Sequence, residues 1–329
     1  MIRSFRPDGA GGLAETGEPP EDALWIDLHE PDAAELDRIG RAVGMALPTR
    51  EDMEEIELSS RLYRELGTDF MTLVLPALGE TAPGETAPGR SAHHQTLPVT
   101  FALGERMLVT IRYHDPRPFR TYPSRAARSP YGVATAQDIL FGLLDSTIDR
   151  LADILELTDG RIEAVSRQLF DKGTQFDSGA LRGAVSALGQ AGTLVSDVRN
   201  SLVTVERAIS FLDRERDGAP QARRAQRALK VLSSDVTSLS EHATFLTQKL
   251  ALIMDAAFNL TNIRQNATSE VFSLVAVLFL PPTLIASIFG MNFAWMPWLD
   301  WDLGFWAALA TMGLSSLVSY LLFRWRSLL

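Results

Sequence analysis

In this 329-residue chain the arrangement best suited to chemistry is one of neutral oxygens. Gly290-Met291-Asn292 follows directly on an uncharged stretch, Val271 to Phe289. The Gly290 carbonyl and the Asn292 side-chain oxygen are neutral hydrogen-bond acceptors. Asn292 also suits a helix C-cap. Reaction chemistry is hard to assemble elsewhere. The absence of cysteine removes disulfides, thiolate metal sites and cysteine nucleophiles together. There is no P-loop, no nucleophile elbow and no H-E-x-x-H spacing. The five histidines are scattered, and His93-His94 falls in a Gly/Pro-rich excursion that reads as a solvated loop. An enzyme is not expected.

The elements that would position Asn292 are apolar. Val271 to Phe289 and Leu303 to Phe323 carry no charge, and each is close to the ~20 residues a helix needs to cross a bilayer. Residues 290–302 connect them. A buried hairpin of a soluble protein is the alternative. No Lys or Arg occurs from Val271 to Phe323, whereas Arg264 precedes the pair and Arg324 and Arg326 follow it. Asp300 and Asp302 lie in the connector. The positive-inside rule therefore puts both ends in the cytoplasm and the connector outside. Trp295, Trp298, Trp301 and Trp306 gather at the outer end and Trp325 at the inner end, as an aromatic belt would.

A formal charge of −10 argues against a nucleic-acid partner, since phosphate binding needs a basic face. The N-terminus, MIRSFRPDGAGG, has no apolar core of a signal peptide. The body before the spans is therefore expected to stay in the cytoplasm.

Residues 1–22 are Gly- and Pro-rich and read as loose. Ala23 to Leu28 reads as a strand. Asp32 then caps a helix that turns Leu36, Ile39 and Val43 inward, and Thr49 caps a second running through Ile56. Phe70 to Leu78 reads as a strand, with Pro76 suggesting an edge or a bulge. GETAP then occurs twice in tandem, a low-complexity excursion. Leu97–Leu103 and Met107–Tyr113 flank Gly104-Glu105-Arg106, a hairpin signal. Residues 23–113 thus predict a small α/β domain with a mixed sheet.

From Thr135 the apolar period becomes helical. One helix is predicted to about Phe170, a second over 179–213, and a third from Pro220, a residue suited to a first helical turn. In the third, Leu229, Leu232, Val236, Leu239, Ala243, Leu246, Leu250, Ile253, Ala257 and Leu260 alternate steps of three and four. That is a heptad seam. No Gly or Pro occurs between Gln221 and Leu280, so the helix is expected to continue into the first span. At ~1.5 Å per residue it would be about 100 Å long. The seam can pack on the chain's own helices or on neighbouring subunits, and it is expected to do both. The domains read as 1–130, an α/β domain; 131–267, a helical stalk; and 268–329, the two spans.

The Gly290-Met291-Asn292 tripeptide, its place after the first of two C-terminal spans, Leu280-Pro281-Pro282-Thr283 upstream and Met296-Pro297 downstream resemble the CorA family of divalent-cation transporters. Leu24-Trp25-Ile26-Asp27-Leu28-His29-Glu30-Pro31-Asp32, the Thr49-to-Glu57 stretch and Met254 to Asn266 resemble its enterobacterial type, so the likeness covers nearly the whole chain. It implies an α+β cytoplasmic domain, a long helical stalk and two transmembrane helices, assembled as a homopentameric funnel in the lipid bilayer. Five long helices would line one pore. The family often has Tyr and two Glu where Phe289, Ala294 and Trp298 stand here.

The resemblance makes Gly290, Met291 and Asn292 a selectivity filter, and Asn266, Phe272, Ala276, Leu280, Thr283 and Ser287 a pore face. Mg²⁺ surrenders water reluctantly, so a ring of neutral acceptors can admit the hydrated ion and still release it. Leu280 and Phe272 would form an apolar constriction that gates by dewetting; lipid contact is the other reading of such residues. Mg²⁺ is then both substrate and regulatory ligand, with Co²⁺ and Ni²⁺ as further cargo. Cytoplasmic Mg²⁺ bound between subunits would hold the pore shut by screening facing carboxylates. Asp235, beside Val236, and Asp255, eleven residues before Asn266, are the candidates, with Glu80 as an acidic partner. Both can equally be solvated helix surface. The other readings are a ZntB-like zinc transporter of the same superfamily and a membrane-tethered scaffold that binds cations without passing them.

Overall fold

The computed structural model describes residues 1–17, 23–55, 57, 61–77, 95–171, 178–213, 220–291 and 301–325. It divides into two compact units, Met1–Met254 and Asp255–Leu329.

The first unit is built on a seven-stranded sheet in the order β2-β1-β3-β7-β6-β5-β4. Its strands are β1 (Ile2–Pro7), β2 (Leu13–Thr16), β3 (Trp25–His29), β4 (Leu62–Glu65), β5 (Thr68–Ala77), β6 (Gln95–Leu103) and β7 (Leu108–Arg112). The expectation of a loose N-terminus fails over most of residues 1–22. β1 and β2 form an antiparallel hairpin, and β1 also pairs with β3, Phe5 opposite Trp25. The Gly/Pro content misled because the strands alternate across it: Phe5 is wholly buried and stacks on Trp25 at 4.4 Å.

β3 and β7 are parallel and the other pairs antiparallel, so the sheet is mixed as expected. Gly104 closes the β6–β7 hairpin by donating to the Met107 carbonyl at 3.0 Å. Pro76 pairs with Thr96 on β6 and lies beyond the register of β4, which stops at Met71. An edge-like position tolerates its missing amide proton.

α1 (Ala33–Val43) and α2 (Arg50–Glu54) each begin with a capping box, at Asp32 with Glu35 and at Thr49 with Asp52. These reciprocal bonds satisfy amides a helix start leaves open. α2 ends at Glu54, short of the expected Ile56, which lies outside the described residues. α1 and α2 bring Leu36, Ile39 and Met53 into one core with Ile26, Leu28, Phe70, Val109 and Ile111. α3 (Arg117–Arg125) supplies Phe119 and Tyr122, packed on Trp25 and Phe101.

α4 (Ala136–Asp171) and α5 (Ser178–Asp213) form a hairpin. α5 is tied to the sheet by Val74 N–H, which donates to Thr204 Oγ1 at 3.1 Å. α6 (Pro220–Phe289) is one 70-residue helix, and α7 (Gly304–Trp325) follows the connector. Within the first unit, Leu229, Leu232, Val236, Ala243, Leu246, Leu250 and Ile253 are buried. Lys249, on the same helix, binds Asp159 and Glu163 of α4 at 2.7 and 2.9 Å. Seven buried seam positions are thus spent inside the chain. This is the expected packing on the chain's own helices, and Leu239 and Leu260 of the same seam stay partly exposed. A heptad pattern specifies a covered face but not whose helix covers it.

Candidate functional site

In the second unit, the first apolar window of α6 has a mean hydropathy of 2.2 and none of it is buried; that of α7 has 1.5 and is 6% buried. A core hairpin would be mostly covered. Two helices long and apolar enough to cross a membrane, left bare by their own chain, favour the bilayer reading.

The helix surface sorts into two sides. Leu274, Val277, Leu278, Pro281, Pro282 and Ile285 are partly covered. Ser316 of α7 reaches this side, donating to the Leu278 carbonyl at 3.2 Å. Asn266, Phe272, Ala276, Leu280, Thr283 and Ser287 are all exposed, Phe272 by 72% and Leu280 by 65%. The structure therefore keeps every residue of the expected pore face clear of α7. The Thr283 hydroxyl turns back to the Phe279 carbonyl at 2.6 Å.

At the end of α6, Gly290 N–H donates to the Ala286 carbonyl at 2.9 Å and Met291 N–H to Ile288 at 3.2 Å. A Cβ at Gly290 would crowd that Ala286 oxygen at 3.3 Å, so glycine eases the chain's exit from the helix. Met291 is 49% exposed. Asn292, Trp295, Trp298 and Asp300 lie outside the described residues. Trp306 and Trp325 are exposed at opposite ends of α7, the ends at which the belt is expected.

Asp235 and Asp255 are both exposed, in the first and second unit respectively. Glu80 lies outside the described residues. The acidic company of Asp235 comes instead from α4. Burial, then the charges of Asp149 and Asp235, push the Asp145 carboxyl up to about 6, with a bond from the Tyr131 hydroxyl at 3.4 Å opposing the rise. Asp149 is raised by burial, Asp153 and Asp235. Sequence reasoning missed this group. Asp138, Asp145, Asp149 and Asp153 at helical spacing were the available signal. Among the described residues no three His, Asp or Glu side chains are grouped closely enough to hold a metal ion.

A second stripe on α6 also escaped notice. Val231, Phe245 and Leu252 fall at multiples of seven and are 53%, 54% and 71% exposed. Sites at this spacing drift only slowly around a helix, so they form one uncovered face beside the buried seam.

Comparison with known proteins agrees with these features. The family model described as "CorA-like Mg2+ transporter protein" matches residues 20–325. The chain is 33% identical over 305 residues to the magnesium transport protein CorA of Yersinia pseudotuberculosis, covering 92% of this chain and 90% of that one. It is 34% identical over 313 residues to the Escherichia coli K12 magnesium transport protein CorA, covering 94% and 93%. The complete structure of the CorA magnesium transporter from Methanocaldococcus jannaschii superposes with a TM-score of 0.74 at 18% identity, covering 98% of this chain and 96% of that one. The ZntB cytoplasmic domain from Vibrio parahaemolyticus gives 0.55 at 12%, covering 80% and 97%, a likeness of fold alone. With its family model matched almost end to end and a third of its residues shared with curated relatives, the chain belongs to the CorA-like Mg²⁺ transporter family.

Proposed function

We propose that the chain forms a membrane channel through which Mg²⁺ enters the cytoplasm, with Co²⁺ and Ni²⁺ as further cargo. The observation that carries this reading is the exposed stripe from Asn266 to Ser287, which leads to Gly290-Met291-Asn292 on a helix whose other side meets α7. In a ring of copies such a stripe faces a common axis. Leu280 and Phe272 narrow it with apolar rings, and Asn292 supplies neutral acceptors at its mouth. The membrane potential drives entry: a divalent ion moving inward gains ~4.6 kcal/mol per 100 mV, at ~2.3 per charge.

The assembly is a homopentamer. In support, the exposed Val231–Phe245–Leu252 stripe offers a surface for neighbouring copies that does not compete with the buried seam. Both termini are cytoplasmic, and the membrane is the inner (plasma) membrane. Residues 1–130 and 131–267 form the cytoplasmic funnel, and 268–329 the conducting part. Cytoplasmic Mg²⁺ closes the pore, with Asp235 and Asp255 carrying the response. Asp145 and Asp149 deepen the negative field around Asp235, which makes cation screening there more effective.

Flux into proteoliposomes tests this. The wild type should take up Mg²⁺, and Asn292→Ala should abolish uptake while expression and assembly persist. Wild-type rates in that variant would refute the collar. A panel with Zn²⁺ separates the ZntB-like alternative, and no flux of any divalent ion would favour a scaffold. Asp235→Asn with Asp255→Asn should shift the Mg²⁺ concentration that closes the pore, and wild-type closure in the double variant would remove these residues from the response.

A further inference from the structure

Two prolines, Pro281 and Pro282, lie inside α6, at the level of the proposed pore constriction. Proline has no amide proton, so each leaves the carbonyl four residues earlier without its helical partner. For Pro282 that carbonyl belongs to Leu278. In a bilayer, where no water replaces the lost bond, such an oxygen is costly unless a neighbouring group serves it.

Ser316 Oγ of α7 donates to this Leu278 oxygen at 3.2 Å. Other hydroxyls of the two spans turn back on their own helices: Thr283 to Phe279 at 2.6 Å, Thr311 to Ala307 at 2.8 Å and Ser315 to Met312 at 2.7 Å. The last of these shows that a backward bond was available one residue away. Ser316 reaches across instead. It can do so because α7 turns small residues to its covered side: Gly304 and Ala308 are buried, and Ser315, Ser316 and Ser319 partly covered. Small side chains let two backbones approach closely.

We propose that Ser316 is a positioning residue for the pore: its hydroxyl stands in for the amide proton that Pro282 lacks, and ties the second span to the proline step of the first. Leu280 and Thr283, which carry the proposed pore face, lie two and five residues beyond the carbonyl it holds. Any bend of α6 at the proline step must break this bond or carry α7 with it. The inference rests on the channel reading for its functional consequence, but the bond and its dependence on proline do not.

The test is a double-mutant cycle on the full-length protein in proteoliposomes, with Ser316→Ala, Ser316→Thr, Pro282→Ala and the Pro282→Ala/Ser316→Ala double variant. Two quantities are read: the Mg²⁺ concentration that half-closes the pore, and hydrogen–deuterium exchange over residues 279–286. Ser316→Ala should change the half-closing concentration by about threefold to tenfold, the range expected of one interhelical hydrogen bond in a membrane, and should speed exchange. Ser316→Thr keeps a donor and should restore both. With alanine at 282 the backbone N–H serves Leu278, so removing the Ser316 hydroxyl should then change neither. Equal effects in the two backgrounds, or none in the wild type, overturn the proposal. If no variant conducts Mg²⁺, the channel reading fails, and the exchange cycle alone still decides whether Ser316 serves the carbonyl that Pro282 frees.

Discussion

Residues 1–254 cover most of their own apolar surface; residues 255–329 leave most of theirs bare. In the first unit the α6 seam is buried against the chain's own helices, and the sheet carries an internal ion pair that water hardly reaches. Arg112, 2% exposed, forks onto both carboxylate oxygens of Asp27, which is fully buried, and also binds Asp115 at 2.7 Å. Thr110 donates to Asp27 Oδ1 at 2.8 Å and accepts from the Trp25 indole at 3.0 Å. In the second unit, large apolar side chains such as Phe272, Phe279 and Leu284 stand exposed. The comparison teaches where each unit can take its stability: the first from packing within one chain, the second from the apolar surroundings that its two bare helices suit.

The largest expected effect breaks the first half of that contrast. Leu246→Asp puts a charge without a partner into a fully buried site and should leave little folded protein. Full-length protein in detergent, followed by size-exclusion chromatography and thermal unfolding, reads this directly. Asp27→Ala comes next. Removing one partner of a buried pair leaves Arg112 uncompensated, at a cost of about 3–5 kcal/mol, seen as a lower melting temperature. A wild-type melting curve would mean that the pair contributes nothing net.

The second half is sharpened by Phe245→Asp with Leu252→Asp. Both side chains are more than half exposed, so the protomer should lose less than about 0.5 kcal/mol, while native mass measurement should show the assembly dissociating. Dissociation without unfolding here, against unfolding at Leu246, separates the two stripes of one helix. A stable assembly in the double variant would assign the stripe elsewhere.

The smallest effect concerns pH. The folded-state carboxyl of Asp145 titrates above its unfolded value, so the folded protein binds the extra proton. The stabilisation from this site is fully present below about pH 4 and is lost as pH rises through about 6. At pH 7.5 Asp145→Asn should therefore raise the melting temperature, by about 1–3 °C for a partly solvated group, and should flatten its pH dependence between those values. A variant that is less stable at pH 7.5 would show that the bond to Tyr131 outweighs burial and the neighbouring charges.

Much of the molecule was legible in its residues because the signals are local. Asp32 and Thr49 announce capping boxes three residues ahead, the 3.6 period marks α4, α5 and α6, and two uncharged stretches mark the spans. Gly290-Met291-Asn292 and its surroundings carried the family. Other features depended on partners far away in sequence. The N-terminal hairpin became visible only once Phe5 met Trp25, and α3 passes through Pro123 because Phe119 and Tyr122 are buried against the sheet.

What the sequence determined by itself was therefore which faces are apolar, where helices begin, and that two of them suit a bilayer. What only the tertiary structure decided was who covers each face. A heptad seam reads the same whether it meets its own chain or another, and only the packed helices show Leu229 to Ile253 spent within one protomer and Val231, Phe245 and Leu252 left over. Pro282 announces a missing amide proton in any sequence. That Ser316, 38 residues from Leu278, takes its place is a matter of how two helices lie side by side, which no spacing along one chain encodes.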